Sequence, residues 1–588
     1  MRKKLGTMMQ LDTIRFAVLS CLTILAGVST YTEEDLADML KDGFRNVDRE
    51  IIDGEVMVEY GSIPTWLSGN FMRHACGAFG ESDNMNDTLP NYIEHLFDCM
   101  EIGSKFRVEN GKITFTQRWY NTTVNDIYNS YGREMNKSSY FMKSTFSKIN
   151  KAQFDKWESN LSDTSKVAQV PSVSWWQIGN EAIAMTEKPV GVIIDTHCVS
   201  QKGWIQYKDN NMGIPDTPQY YFTNNPAHAH TEPDGTLWSA SIAVNFVSGT
   251  RLKISRLVYK VDADKFRHVV GTYNYEDADL SRCRGWNPYP DFSSRFGYIH
   301  SFCMTENYII LPETGYMHDP CFYRRYDKHM PFFPQSFHYE PNGFVRLLVM
   351  RKSDGEFIAN ITMPPFFVTH QLGSYEDGDL IHMDMLTYNN ADVYAMATLN
   401  DLYTPYTTNV SRITINMTDF TASMRSLRNP ARDPAAFEMS NINYAYYGKK
   451  YKYGYMARNI YRKERNALTK LNVDTGEEIQ YTFPEGMFVQ EPQFVPRPNS
   501  TAEDDGVVIA QGVDGRKHKA FMVIVDAKTM NLIGHVTAPD LALFGLHNRF
   551  YPLDGGRTYV TDTAPNHSLN AVLVLCFLYL YMLLHTGN

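Results

Sequence analysis

The sequence predicts an all-β chain of the propeller kind, and three observations carry that prediction. Apolar alternation on both sides of an aspartate-led turn recurs five times, helical periodicity is scarce, and no compositional break divides Thr32 from Leu553. The repeats are GVIIDTHCVSQKGWIQY around Asp195, RLVYKVDADKFRHVVGTY around Asp262, LVMRKSDGEFIANITM around Asp354, TKLNVDTGEEIQYTF around Asp474 and FMVIVDAKTMNLIGHV around Asp526. Period-two patterning that flanks an Asp/Gly/Ser turn marks a β-hairpin. Blades of four short strands round an axis can reach this length without splitting into domains. A large sandwich or two tandem β domains are the alternatives that the repeat leaves open.

The 588 residues are 43% hydrophobic and 13% aromatic, enough to bury a large core and too apolar for a disordered chain. A net charge of -10 is spread along the chain with no basic block, which argues against a nucleic-acid partner. Helical patterning is confined to Glu33–Lys41 and to Ser144–Ser162, the latter an expected insertion between strands.

The ends differ from the body. Residues 1–30 place Arg2, Lys3, Lys4 and Arg15 before an apolar run from Phe16 to Val28, the order of a secretory signal peptide; an uncleaved anchor is the alternative. Residues 554–588 hold a small Asp554-Gly555-Gly556 triplet, a polar spacer and an apolar run from Ala571 to Leu584. That run is short for a membrane span and resembles a lipid-anchor signal, so a membrane surface is an expected partner. Nine sequons, at Asn86, Asn121, Asn136, Asn160, Asn360, Asn409, Asn416, Asn499 and Asn566, agree with a glycosylating secretory route to the cell surface or outside. Six cysteines lie between the ends, Cys76, Cys99, Cys198, Cys283, Cys303 and Cys321; the even number permits disulfides, and no C-x-x-C pair suggests structural zinc.

Composition and spacing single out none of the 17 histidines. Four of them lie in distinctive segments: NPAHAHTEPDGT with His228, YIHSFCMTENYIILPE with His300, FFVTHQLGSYEDGD with His370 and LFGLHNRFYP with His547. These resemble, in the same order, the four iron-binding segments of the carotenoid cleavage oxygenases. IPTWLSGNFMRH, HLFD, AMTEKPVGVIID, AAFEMSNINY, FVQEPQFVPRP and EDDGVV resemble further segments of that family, and the likeness spans residues 53–553. It implies a seven-bladed β-propeller capped by loops and helices, with Fe(II) on its axis held by His228, His300, His370 and His547. Glu187, Glu438 and Glu491 stand where the family has outer glutamates, which by resemblance orient His300, His370 and His547 respectively. Spacings of 72 and 70 residues between the first three histidines suit one blade each; His547 follows 177 residues later.

Four neutral imidazoles leave a ferrous ion its full charge and positions for dioxygen, whereas four protein ligands would close a tetrahedral zinc site. The implied reaction is oxidative cleavage of a conjugated polyene, with central cleavage of β-carotene to retinal the specific expectation. Eccentric carotenoid cleavage, retinoid ester isomerohydrolysis and a non-catalytic carotenoid or retinoid carrier are the alternatives. Some residues depart from the family pattern: Gly373 and Ser374 after His370, Asn548 after His547 where the family has glycine, asparagine tolerating left-handed backbone better than most residues, and Cys76 with Cys99, which the resemblance places near each other and which suggest a disulfide. The Pro-Asp-Pro-Cys-Lys stretch of many animal members is not evident, the corresponding region, roughly Tyr131–Trp157, being polar. His95, His230 and Asp98 are expected to be structural.

Overall fold

A computed structural model describes residues 31–47, 49–78, 100–120, 173–187, 191–209, 221–284, 289–322, 337–395, 406–429 and 435–553. Its strands form seven blades of a β-propeller. The signal-like and tail segments, Ser144–Ser162, Cys99, His95 and Asp98 lie outside the described residues.

All five expected hairpins form. Asp195, Asp262, Asp354, Asp474 and Asp526 stand at turns between antiparallel neighbours. The acceptors that hold these turns are local: Asp262 Oδ1 takes the backbone N–H groups of Asp264 and Phe266, and Asp526 Oδ1 those of Lys528 and Thr529. Such side-chain acceptance is why Asp favours turns. In the fourth repeat the acceptor is instead Asn472, which takes the N–H of Asp474.

Blade 1 starts at the C-terminal strand Asn548–Pro552 and continues outward through Gly69–Ala78, Met100–Glu109, Lys112–Trp119 and Ile51–Glu55. Blade 2 spans Ser174–Trp204, blade 3 is built on Leu237–Ser248 and Arg251–Val261, and blade 4 runs from Cys303–Met304 to Phe357–Met363. Blades 5 and 6 run inside to outside from Phe367–Asp377 and from Phe437–Ile442. Blade 7 contains Gly506–Asp514, Lys519–Asp526 and Leu532–Thr537, and Met57–Gly61 completes its outer edge. The ring is therefore closed twice, with Arg73 opposite Asn548 in blade 1 and Met57 opposite Thr537 in blade 7. Both closures join residues from opposite ends of the chain.

Each of the seven interfaces between neighbouring blades has its own apolar cluster. Phe71, Phe106 and Phe115 of blade 1 meet Ile509 and Ile524 of blade 7, for example. Strands inside a propeller bury both faces, so their sequences lose the strict alternation of a half-exposed sheet. An aromatic cluster containing Phe44, Phe296, Tyr298, Tyr316, Phe337, Phe367, Tyr388 and Phe544 completes the core. The expected helix forms at Glu33–Lys41, where Thr32 and Asp35 make a capping box.

Cys283 and Cys321 form a disulfide that the sequence reading did not assign. Cys76 is also disulfide-bonded, while the thiol expected to pair with it, Cys99, is outside the described residues. The Cys283–Cys321 link closes a loop of 38 residues. Chain-entropy arguments give such a closure about 2–4 kcal/mol. Cys283→Ser with Cys321→Ser is expected to lower unfolding free energy by roughly that amount in denaturant titration, with the slope of the transition altered little.

Candidate metal centre

His228, His300, His370 and His547 meet, with one nitrogen of each lying within 4.8 Å of the others. The Nε2 atoms of His370 and His547 are 3.1 Å apart and those of His228 and His300 3.3 Å apart. His300, His370 and His547 are each at most 7% exposed. The first three histidines belong to blades 3, 4 and 5 and the fourth to blade 1. Glu187, Glu438 and Glu491 come from blades 2, 6 and 7, so every blade contributes one residue.

Each glutamate meets the imidazole that the resemblance assigns to it. Glu187 Oε1 lies 2.7 Å from His300 Nδ1, Glu438 Oε2 2.5 Å from His370 Nδ1, and Glu491 Oε1 2.8 Å from His547 Nδ1. No carboxylate bonds His228 among the described residues. A carboxylate on Nδ1 holds the proton there, which turns the lone pair of Nε2 inward.

That tautomer supplies a test of metal fit. Two inward lone pairs 3.1 Å apart, on His370 and His547, repel each other unless a cation lies among them. Protonation is a poor solution, because burial pushes His370 down to about 4 and His547 down to about 3, and holds His228 well below the ordinary imidazole value. Neutral, converging nitrogen donors are what a divalent metal ion requires. The four-histidine group fits one.

Local irregularities aim these side chains. The strand Phe367–Asp377 shifts register around His370, and Phe437–Ile442 does so after Glu438, where Met439 adopts φ 55°. Bulges of this kind redirect side chains next to sites. Gly545, two residues before His547, is pressed against blade 1, since a Cβ there would stand 1.7 Å from the His74 carbonyl oxygen. Arg73 donates to the Leu543 carbonyl at 2.5 Å and Gln490 to that of Gly545 at 2.7 Å, fixing the irregular approach to His547.

Sequence reasoning missed an outer layer of donors. The Tyr298 hydroxyl donates to Glu187 Oε1, and the Tyr388 hydroxyl donates to Glu438 Oε1, which also accepts from Thr369 Oγ1 at 2.7 Å. Burial would raise the Glu438 carboxyl, but His370, Thr369 and the Met439 N–H outweigh it and hold it below the usual range. Glu491 has no phenol among these partners; the Asn548 N–H meets its Oε2 at 2.5 Å and, with the nearby His370, opposes the upward push of burial on its carboxyl. Asn548 stands in the extended strand Asn548–Pro552, so its tolerance of left-handed backbone is not used. Its amide donates to the Glu491 carbonyl at 2.7 Å, a contact glycine cannot make. Gly373 is required by packing, as a Cβ would lie 2.6 Å from the Tyr451 ring, and Ser374 donates to the Met304 carbonyl. His230 is structural, as expected, bonded to the Phe302 carbonyl at 2.6 Å and to the Tyr447 hydroxyl.

Tyr388→Phe keeps the ring and removes one donor to Glu438. Outer-layer losses at metal sites cost about 10–100-fold in affinity. The variant is expected to release metal to a chelator faster than the unaltered protein, at the lower end of that range.

The family model described as Retinal pigment epithelial membrane protein matches residues 44–552. The chain belongs to the carotenoid cleavage oxygenase family. Within the family it is 25% identical over 539 residues to carotenoid cleavage dioxygenase 8 of Arabidopsis thaliana, covering 87% of this chain and 85% of that one. It is 24% identical over 532 residues to beta,beta-carotene 15,15'-dioxygenase of Gallus gallus, covering 84% and 94%. A solved variant of the Synechocystis apocarotenoid oxygenase superposes with a TM-score of 0.67 at 18% identity, covering 89% of this chain and 100% of the other. The chain is a carotenoid oxygenase by these family relationships, and an enzyme.

Proposed function

We propose that the chain is an Fe(II)-dependent dioxygenase that cleaves a carotenoid at one double bond, with β-carotene cut centrally to retinal as the first substrate to test. The carrying observation is the converging set of four imidazoles, three of them fixed by carboxylates so that their lone pairs point inward. His228, His300, His370 and His547 are the proposed ligands; Glu187, Glu438 and Glu491 position the last three. Bound there, a ferrous ion would supply the binding and activation of dioxygen beside the double bond. The protein's own task is positional. It must hold a rigid polyene in one register and exclude competing geometries. The aromatic cluster that carries Tyr298, Phe367 and Tyr388 packs behind the site and steadies it, with the Tyr298 hydroxyl 3.0 Å from His300 Nδ1 and the Tyr388 hydroxyl on Glu438. No side chain need shuttle a proton.

Purified protein should contain iron near one equivalent and convert β-carotene to retinal, read by metal analysis and chromatography. Other aldehydes would assign an eccentric cleavage site, and turnover of retinyl ester alone would assign isomerohydrolysis. Intact pigment retained without turnover would leave only a carrier, a role for which the braced histidines have no use.

The secretory reading belongs to the same proposal. A disulfide joins Cys283 and Cys321, and Asn360, Asn409 and Asn499 of the sequons are exposed. Oxidising compartments favour such bonds. Glycosidase treatment of protein from a eukaryotic host should shift its gel mobility; an unshifted band would remove the glycosylated secretory route. Association with a membrane surface rests on the sequence of the tail alone.

A further inference from the structure

A cavity runs to the four-histidine group between the inner strands. Its floor is His228, His370, His547 and Glu491, and its walls include the hydroxyl or amide groups of Thr231, Ser301, Ser440 and Asn441. Exposure falls along it, since Thr231, Gln371, Ser440 and Tyr447 are half-buried while His547 and Glu491 are 6% exposed. Solvent therefore has a graded approach to the inner nitrogens. The Ser301 and Ser440 hydroxyls donate to carbonyls of the walls and keep their lone pairs for the hydrogens of water, so the walls offer acceptors to the shell of a hydrated ion. They suit a hydrated cation well, and the carboxyl of Glu491 lies at the bottom. A bare or partly hydrated ion in an apolar passage would meet a far larger penalty. Arg549 also lines the cavity, with its guanidinium engaged by the Trp175 carbonyl and Gln177 Oε1.

We propose that this cavity is the port through which a hydrated divalent ion, with the water it sheds, passes between solvent and the four histidines. The proposal rests on the reading of those histidines as a metal site. Ser440 lines the cavity and can be altered without touching a proposed ligand, its hydroxyl donating across the wall to the Gln371 carbonyl at 2.8 Å.

The test uses full-length protein stripped of metal by a chelator and mixed with Co(II), with uptake followed by visible absorption. Ser440→Trp should slow both uptake and chelator-driven release by about tenfold or more, as expected when binding waits on a displaced barrier. The equilibrium affinity should stay unchanged, because both rates fall together. Ser440→Ala, which loses the same hydrogen bond but leaves the passage open, should load at least as fast as the unaltered protein. Thr231→Trp provides a second obstruction should Ser440→Trp not fold. A folded tryptophan variant that loads at the normal rate overturns the port. Unaltered protein that takes up no Co(II) at all overturns the metal reading beneath it.

Discussion

His370→Ala is expected to abolish metal retention and turnover together. This residue combines three features: its Nε2 lies 3.1 Å from that of His547, its Nδ1 is 2.5 Å from Glu438, and burial keeps it neutral. Alanine removes a donor and leaves the Glu438 carboxylate buried without its imidazole partner. Loss of an outer partner alone costs about 10–100-fold in metal affinity, so loss of a ligand should exceed the upper figure. Glu438→Gln should fall within that range, because it preserves shape while weakening the bond to Nδ1. The measurements are iron content after dialysis against a chelator and polyene cleavage under saturating dioxygen. Full iron and full activity in His370→Ala would dismantle the assignment of the site.

Glu313→Ala is expected to produce the largest loss of stability of any single replacement away from the site. Glu313 is fully buried in blade 4, with Arg256 Nη2 2.7 Å from Oε1 and Arg346 Nη2 2.8 Å from Oε2. The Tyr275 hydroxyl also donates to Oε1. Removing the carboxylate strands two guanidiniums that are 0% and 5% exposed. Breaking a buried pair this way costs about 3–5 kcal/mol, and two orphaned cations place Glu313→Ala at the upper end. A shift of the denaturant midpoint is the readout; a loss below about 1 kcal/mol, the scale of exposed pairs, would show the network to be incidental.

The same network gives stability a pH dependence of definite sign. Burial would raise the Glu313 carboxyl, but Arg346, Arg256 and Tyr275 outweigh burial and hold it below the ordinary value of 4.5. A depressed folded pKa contributes stability that is complete above the unfolded value and lost as pH falls through the folded one. Acid unfolding should therefore begin below the ordinary glutamate range. Glu313→Ala should lose this part of the acid sensitivity.

Local chemistry made a large share of the architecture readable. Turns led by Asp262 and Asp526 announce themselves because the acceptor and the N–H groups it satisfies lie within four residues. Glu33–Lys41 was readable for the same reason, since its amphipathic spacing and its cap are contiguous. Asn472, which takes over the turn role at the fourth repeat, was missed because Asp474 beside it has equal propensity and only geometry decides between them. Four histidines and three glutamates were legible through family segments. Spacing alone could not have chosen them, since His370 and His547 are 177 residues apart and separated by two intervening blades.

Sequence by itself determined the hairpin repeat, the all-β class and, through resemblance, which imidazole each glutamate should face. Only the tertiary structure decided the Cys283–Cys321 link, the phenols of Tyr298 and Tyr388 behind the glutamates, the pairing of Arg256 and Arg346 on Glu313, and the cavity that reaches His547. The physical reason is range. A turn satisfies its hydrogen bonds among neighbours in the chain, whereas these contacts join blades, and blades meet only when both ends of the chain have closed the ring.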